Sequence, residues 1–332
     1  MRLAIIDMGT NSIRYSIYEV YSPNRHELVY KYKDMIRPGK GVFNTGLIDK
    51  DSLQVLTDSF SKWKNVSEKY VVDRTITIAT SALRTAKNSD DIVEAIYQKT
   101  GYKIRVISGS EEARLIAKGI LKHTPSLPNK VAFVDIGGGS TEISLVEGGE
   151  ILWSHSFPLG SQRLKQMFPK INPPSNGCER KEAVKDLRAK VVSKLTGLSR
   201  HLGSGEFPHL IGTAGTIKAI GRILNLREAR MNGSSDYIKE LTVSPDSMEF
   251  TFSDLRQLAG QLEVATRATL SFLEGLEAKR RDLIIPGTIL LEEIAAVLHS
   301  KSLQTSSCSL RDGILLSQLE TLGPEAFGNS QN

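Results

Sequence analysis

Cysteine is scarce in this 332-residue chain: Cys178 and Cys308 stand alone and far apart. That scarcity excludes a disulfide-built scaffold and a cysteine-zinc fold, and it fits a reducing compartment. Aromatic residues make up only 6% of the sequence, so the interleaved rings and cations of a single-strand binder are missing. No stable nucleic acid complex is expected. Long apolar runs are lacking too. The most apolar late stretch, 283–298, is interrupted by Pro286, Glu292 and Glu293, which makes it too short and too charged to span a bilayer. A strand pattern begins within three residues of Met1, so no secretory signal is expected and the reading is a cytoplasmic protein without a membrane partner. A Gly-Lys-Ser/Thr phosphate loop is also absent, as is a glycine motif that opens a helix in the manner of dinucleotide sites.

What is present is ordinary in amount: 40% hydrophobic and 24% charged residues, with length enough for two full cores. The net charge of +6 is unevenly placed, with 14 Lys and Arg against 5 Asp and Glu between 161 and 230. Such a basic stretch suits a polyanionic ligand. The bland alternative is a solvated helical face, and charge alone leaves both open.

The central motif is VAFVDIGGGSTEISLV, 131–146. Its pattern predicts strand, tight turn, strand. Three glycines let the backbone turn sharply and bring bare N–H groups close to an anion. Asp135 and Glu142, at the two ends of the turn, suggest that a metal ion accompanies that anion. Residues 3–18, LAIIDMGTNSIRYSIY, lie on the same pattern without a gap, at an offset of 128. Asp7, Gly9, Ser12 and Ser16 fall on Asp135, Gly137, Ser140 and Ser144. We read an internal repeat of two similar domains, each opening with a phosphate-facing hairpin.

Between the hairpins the pattern predicts one or two strands over 26–38, a glycine-bearing loop over 39–46 and a helix over 52–70 capped by Asp49 or Asp51. A strand at 75–79 is followed by the loop TSALRTAKN, whose Arg84 sits just past a strand end. A helix at 89–100 and a strand at 104–107 come next. Ser108 and Glu111 have capping-box spacing and start a further helix. Glu111 and Glu112 occupy its first turn, where complementing the helix dipole explains both and service as a base is the other reading. After the central hairpin, 150–158 continues the sheet, 169–177 reads as an exposed loop and a basic helix covers 179–202. A strand over 209–213 feeds Ala214, Gly215 and Thr216, then a helix from Ile217. That small-residue turn is either a second anion site or a plain strand-to-helix turn. A helix over 253–274, the IIPGTILLEEI segment and a terminal SLRDGILLSQLE helix complete the reading, with the last residues frayed.

Taken together, DMGTNSIR (7–14), SALRTA (81–86), ISGSEEARLI (107–116), DIGGGSTE (135–142), GTAGTIKA (212–219), IIPGTILL (284–291) and SLRDG (309–313) resemble the exopolyphosphatases and guanosine pentaphosphate phosphohydrolases. These belong to the actin-like superfamily of sugar kinases, acetate kinase and heat-shock chaperones. The resemblance covers nearly the whole chain. It implies an α/β protein of two actin-like (ribonuclease H-like) domains, 1–125 and 126–308, with the active site in the cleft between them. The terminal helix, 309–322, is expected to pack back onto the first domain. Thr10 stands where many members carry Ser. Long exopolyphosphatases add C-terminal helical domains for which 332 residues leave no room, so strong processivity is not expected.

The resemblance also implies a mechanism. Glu112 becomes the base that deprotonates water for in-line attack on the terminal phosphorus. Asp135 and Glu142, with Asp7 from the first hairpin, hold Mg²⁺ or another divalent cation. Gly137, Gly138, Gly139 and Ser140 cradle the terminal phosphate; Asn11 and Ser12 do so from the other hairpin, and Gly215 and Thr216 from the later turn. Arg84 stabilises the equatorial oxygens. Inorganic polyphosphate is the first expected substrate and guanosine pentaphosphate the second. A kinase and a non-catalytic nucleotide sensor are further alternatives. A homodimer is expected because family members often form one.

Overall fold

The computed structural model describes residues 1–332 except 125, 174–176, 203–204, 234–246 and 323–332. Part of the expected 169–177 loop and the expected frayed terminus therefore lie outside the described residues. The chain divides into two compact units, one formed by Met1–Gly119 and the stretch from Leu310, the other by Ile120–Ser309.

In the first unit β1 (Arg2–Met8), β2 (Ile13–Ser22) and β3 (Arg25–Asp34) form an antiparallel meander. Strands β4 (Arg74–Ala79) and β5 (Ile104–Val106) add in parallel on the far side of β1, giving the order β3-β2-β1-β4-β5. β1 is buried along nearly its whole length, as its unbroken apolar run requires of a central strand. After the short α1 (Val42–Thr45), α2 (Lys50–Lys69) starts where the Asp49 carboxylate accepts the Ser52 N–H at 2.7 Å, so Asp49 and not Asp51 is the cap. Its buried Leu56, Phe60 and Trp63 join the core that includes Tyr15 of β2, with Trp63 and Tyr15 stacked at 5.8 Å between ring centroids. Each such side chain contributes about 1.5–3 kcal/mol by leaving water.

The expected TSALRTAKN loop is a short helix instead, α3 (Ser81–Thr85). Ala82, Leu83 and Arg84 favour helix, and burial of Ala82 and Leu83 pulls the segment into a turn against the core. Helices α4 (Ser89–Thr100) and α5 (Gly109–His123) follow. The Ser108 hydroxyl accepts the Glu111 N–H at 3.2 Å, which starts α5 where the spacing predicts.

The second unit repeats this plan. β6 (Lys130–Ile136), β7 (Thr141–Glu147) and β8 (Glu150–Phe157) form a meander, and β9 (His209–Thr213) lies parallel to β6. Short strands β10 (Glu249–Thr251) and β11 (Ser302–Thr305), which no periodicity announces, complete the order β10-β11-β9-β6-β7-β8. Helices α6 (Ser161–Met167), α7 (Gly177–Leu202), α8 (Ala214–Met231), α9 (Phe252–Glu263), α10 (Arg267–Phe272) and α11 (Ile284–Val297) cover it. The helix expected over 253–274 is thus two, because Thr266 leaves the helical path and caps α10 by accepting the Thr269 N–H. The helix expected from Ile217 starts at Ala214, which puts Gly215 and Thr216 in its first turn. Pro286 sits in the first turn of α11, where its missing N–H costs no hydrogen bond. The terminal helix, α12 (Leu310–Thr321), belongs to the first unit.

The repeat read from sequence is a repeat of geometry. Asp7 pairs in register with Arg14 on β2, and Asp135 with Glu142 on β7. The Gly9 N–H donates to Ser12 O at 3.1 Å, and the Gly137 N–H to Ser140 O at 3.0 Å. Third strands and the loops after them correspond as well: Gly39 N–H donates to Thr10 O, and Gln162 N–H to Gly138 O.

Much of the basic excess of 161–230 is spent inside the second unit. Arg188, one of the cations the sequence places on the basic helix, is not a solvated charge. It bonds Glu263 and Glu292 at 2.6 Å each, and Glu293, joining α7 to α9 and α11. Burial pushes the Glu292 carboxyl up even beside this arginine. Lys181, Lys185 and Lys194 remain exposed. Arg188→Met should lower stability by about 3 kcal/mol in urea unfolding, since three carboxylates lose their shared cation.

Candidate active site

The two sheets bring the predicted residues to the carboxyl ends of parallel strands, where α/β sheets collect their ligands. In the first unit β1, β4 and β5 end side by side, with the Thr80 N–H donating to Met8 O and the Ile107 N–H to Ala79 O. The hairpin turn 9–12, the helix bearing Arg84 and the start of α5 therefore adjoin. Arg84 Nη1 donates to Glu112 Oε2 at 3.0 Å and to Ile107 O at 3.0 Å. Two residues 28 apart in sequence thus form one ion pair, with Glu112 only 7% exposed. Glu111 points elsewhere: it meets Arg105 at the surface at 2.5 Å. The two glutamates that sequence leaves equivalent are separated by burial.

The first hairpin turn is clasped from behind. Thr10 O accepts the Gly39 N–H at 2.9 Å and Asn11 O accepts the Arg37 N–H at 3.2 Å. Arg37 holds a φ of 56°, a strained conformation for this side chain. Asn11 Oδ1 is buried without a hydrogen-bond partner, and Ser12 is buried beside it. A buried orphan amide is costly unless a ligand or water meets it. Asp7 is 2% exposed and accepts Arg14 Nη1 at 2.9 Å, so its charge is met within its own hairpin.

In the second unit the glycine turn has a division of labour. Gly137 O accepts the Ser161 N–H at 3.1 Å, Gly138 O accepts the N–H groups of Gln162 and Arg163 at 2.9 Å each, and Gly139 O accepts Arg163 Nε at 2.7 Å. The backbone donors belong to the first turn of α6, whose N–H groups lack intrahelical partners, and the guanidinium adds a side-chain donor from the same turn. The carbonyls are therefore drawn to one side. No acceptor among the described residues takes the N–H of Gly138 or Gly139, and two such donors in one turn form an anion nest.

Asp135 and Glu142 are direct cross-strand neighbours, so their side chains share one face of the sheet, with Cβ atoms about 5 Å apart. Glu142 is 3% exposed and accepts Ser156 Oγ at 2.7 Å. Two carboxylates on one face are the kind of oxygen pair that a hard divalent cation takes. The donor set fits Mg²⁺, which takes one or two carboxylates and completes its shell with water and phosphate oxygens. Among the described residues no three His, Cys, Asp or Glu side chains gather as a metal cage.

Parallel pairing of Asp135 with Thr213 places the Gly215 turn beside the glycine turn. Ala214 adopts a φ of 66° to enter α8. The space over Gly215 is filled by the Arg280 guanidinium, which a Cβ there would strike. Thr216 turns its methyl to Gly287 of α11. This position therefore presents a guanidinium together with a helix N-terminus.

Three supporting residues escape sequence reasoning. Gly160 permits the approach of α6: a Cβ on it would stand 2.5 Å from Gly138 O and 2.6 Å from Gly139 N. Ser156 orients Glu142. Arg280 is carried by a segment tied to α6 through the Lys165–Asp282 ion pair. Only the Leu-Gly-Ser sequence after β8 hints at the first of these; the other two carry no local signal.

Duplicated sheets of this order, each with an acid-glycine turn at the carboxyl end of its central strand, define an actin-like α/β protein. The model of the Ppx/GppA phosphatase family matches residues 17–322, and the chain belongs to that family. It is 24% identical to exopolyphosphatase 1 of Mycobacterium leprae, over 97% of this chain and 90% of that protein. With exopolyphosphatase 1 of Mycobacterium tuberculosis the identity is 23%, over 97% and 89%. The fold is shared with the crystal structure of an exopolyphosphatase from Cytophaga hutchinsonii, at a TM-score of 0.82 and 24% identity over 97% of this chain and 99% of that one. The Aquifex aeolicus family member superposes with a TM-score of 0.74 at 22% identity, covering 97% and 98%.

Gly160→Ala should drive the Gly138–Gly139 peptide out of place. Phosphate release should fall at least tenfold and competitive inhibition by orthophosphate should weaken, while the thermal midpoint drops only a few degrees.

Proposed function

We propose that this protein is an exopolyphosphatase, releasing orthophosphate from the end of inorganic polyphosphate by metal-assisted attack of water. The observation that carries the reading is the glycine turn, with its carbonyls tied to α6 and the Gly138 and Gly139 N–H groups left for an anion. Family membership supports the chemistry. The relatives named exopolyphosphatase, aligned over nearly the whole chain, support the substrate.

In this reading Glu112 accepts the proton of a water whose oxygen attacks the terminal phosphorus. The bridging P–O bond breaks, its electron pair leaves with the shortened chain, and orthophosphate is released. Arg84 fixes the Glu112 carboxylate through Nη1 and turns its remaining charge toward the equatorial oxygens. Gly138, Gly139 and Ser140 hold the terminal phosphate, with Asn11 and Ser12 on the first hairpin, Gly215 and Thr216 at the start of α8, and Arg280 as a further cation. Asp135 and Glu142 would hold Mg²⁺, which neutralises charge on the phosphate oxygens. Asp7 is the weaker ligand of the three because Arg14 already neutralises it. Guanosine pentaphosphate is the second substrate considered, since it ends in the same phosphoanhydride. A cytoplasmic homodimer belongs to the same proposal. No helix among the described residues is long and apolar enough to cross a membrane.

The direct test is phosphate release from polyphosphate and guanosine pentaphosphate side by side, with and without Mg²⁺. Turnover of the nucleotide alone would replace the proposed substrate, and turnover of neither would remove the activity. Glu112→Gln should lower kcat by ~10²–10⁴-fold at nearly constant KM. Glu111→Gln, which touches only a surface pair, should leave the rate within about twofold of the parent. Asp135→Asn should raise the Mg²⁺ concentration at half-maximal rate; an unchanged titration would remove Asp135 from the metal site.

A further inference from the structure

The SLRDG motif finds no part in the chemistry above, yet it begins α12, and α12 is packed on the helix that carries Glu112. A Cβ built on Gly313 would lie 2.5 Å from the carbonyl carbon of Leu115 and 3.0 Å from its Cα, and closer still to the carbonyl oxygen. Backbone therefore meets backbone at this crossing, and only glycine permits it. Leu115 is one turn beyond Glu112 on α5, on the same stripe of the helix. Two further anchors set α12 in place. Arg311 Nη1 donates to Ser16 Oγ on β2 at 2.6 Å, and Glu320 pairs with Lys118 of α5.

We propose that Gly313 is a positioning residue for Glu112: α12 is a stop against which α5 rests, and the glycine sets how deeply α5 sits. The inference rests on Glu112 being the base. The contact falls on the Leu115 backbone, so no side-chain rotation relieves an added methyl. Ordinary carbon-to-oxygen separation is about 3.3–3.6 Å, so alanine at 313 must push α5 away by roughly 1 Å or more. Misplacement of that size at a reacting group costs on the order of 10²-fold in rate. The Gly138–Ser140 turn and the Asp135–Glu142 pair belong to the second unit, and Asn11 and Ser12 lie on the first hairpin, so none of them shares this contact.

The test is steady-state kinetics of Gly313→Ala in the full chain. The expected result is a fall in kcat of about 100-fold with KM and Mg²⁺ requirement changed less than threefold. Gly197→Ala is the control, because a Cβ on that helical glycine meets nothing within 4 Å, and its rate should equal the parent's. Should Gly313→Ala not fold, Ser16→Ala removes one hydroxyl, releases Arg311 and leaves the packing intact. It should lower kcat several-fold at constant KM. Parental kcat in folded Gly313→Ala, a loss expressed mainly in KM, or (where that variant does not fold) parental kcat in Ser16→Ala overturns the inference. Glu112→Gln separates the two readings. If it is inactive while Gly313→Ala is normal, only the positioning role fails; if it is fully active, the base assignment itself fails.

Discussion

The fate of three carbonyl groups governs the second unit. A glycine turn alone presents donors and acceptors in both directions, and a phosphate would meet as much repulsion as attraction. Here α6 begins where those carbonyls lie: its unmet N–H groups take the first two, and the Arg163 guanidinium takes the third. One arrangement satisfies both elements, because each helix start has donors to place and each glycine turn has acceptors to hide. The outward set of the Gly138 and Gly139 N–H groups is thus a by-product of capping a helix. Its rigidity comes from the bonds that empty the other face.

The first unit reaches a comparable end by other means. Its turn carries Thr10 and Asn11 where the second has Gly138 and Gly139, so side chains replace bare backbone. The clasp comes from a loop that includes the strained Arg37 rather than from a helix. In compensation, the strand ends beside it bring an arginine and a buried glutamate into contact. Two hairpins of one design thus differ at corresponding positions, with bare glycines in the second and side chains in the first.

How much of this was legible depended on range. The hairpins could be read because Asp-x-Gly and the alternation after it are local patterns that occur twice. The start of α5 could be read because Ser108 and Glu111 carry a capping code. By spacing alone Glu111 and Glu112 could not be told apart, since both serve a helix dipole equally. The resemblance singled out Glu112, and in the fold Glu112 pairs with Arg84 while Glu111 meets Arg105. Arg188 could be read only as a solvated cation or a polyanion contact because its three carboxylates lie 75 to 105 residues away. Gly160 and Gly313 were opaque for the same reason: a glycine needed for close approach looks like any other until its neighbour is known. The break at Val264 was hidden by apolar residues that suit a helix on either side of it.

The two hairpins differ in one cross-strand partner. Asp7 faces an arginine and Asp135 faces a glutamate, so the first hairpin closes electrically neutral and the second closes with two like charges on one face. In the proposed reading that second pair holds Mg²⁺. A cation that binds there binds the native form and not the extended one, and by mass action it draws the folding equilibrium toward itself. On that reading the second unit's stability depends on the ionic composition of its surroundings, while Asp7 of the first has its countercharge in Arg14 of the same hairpin.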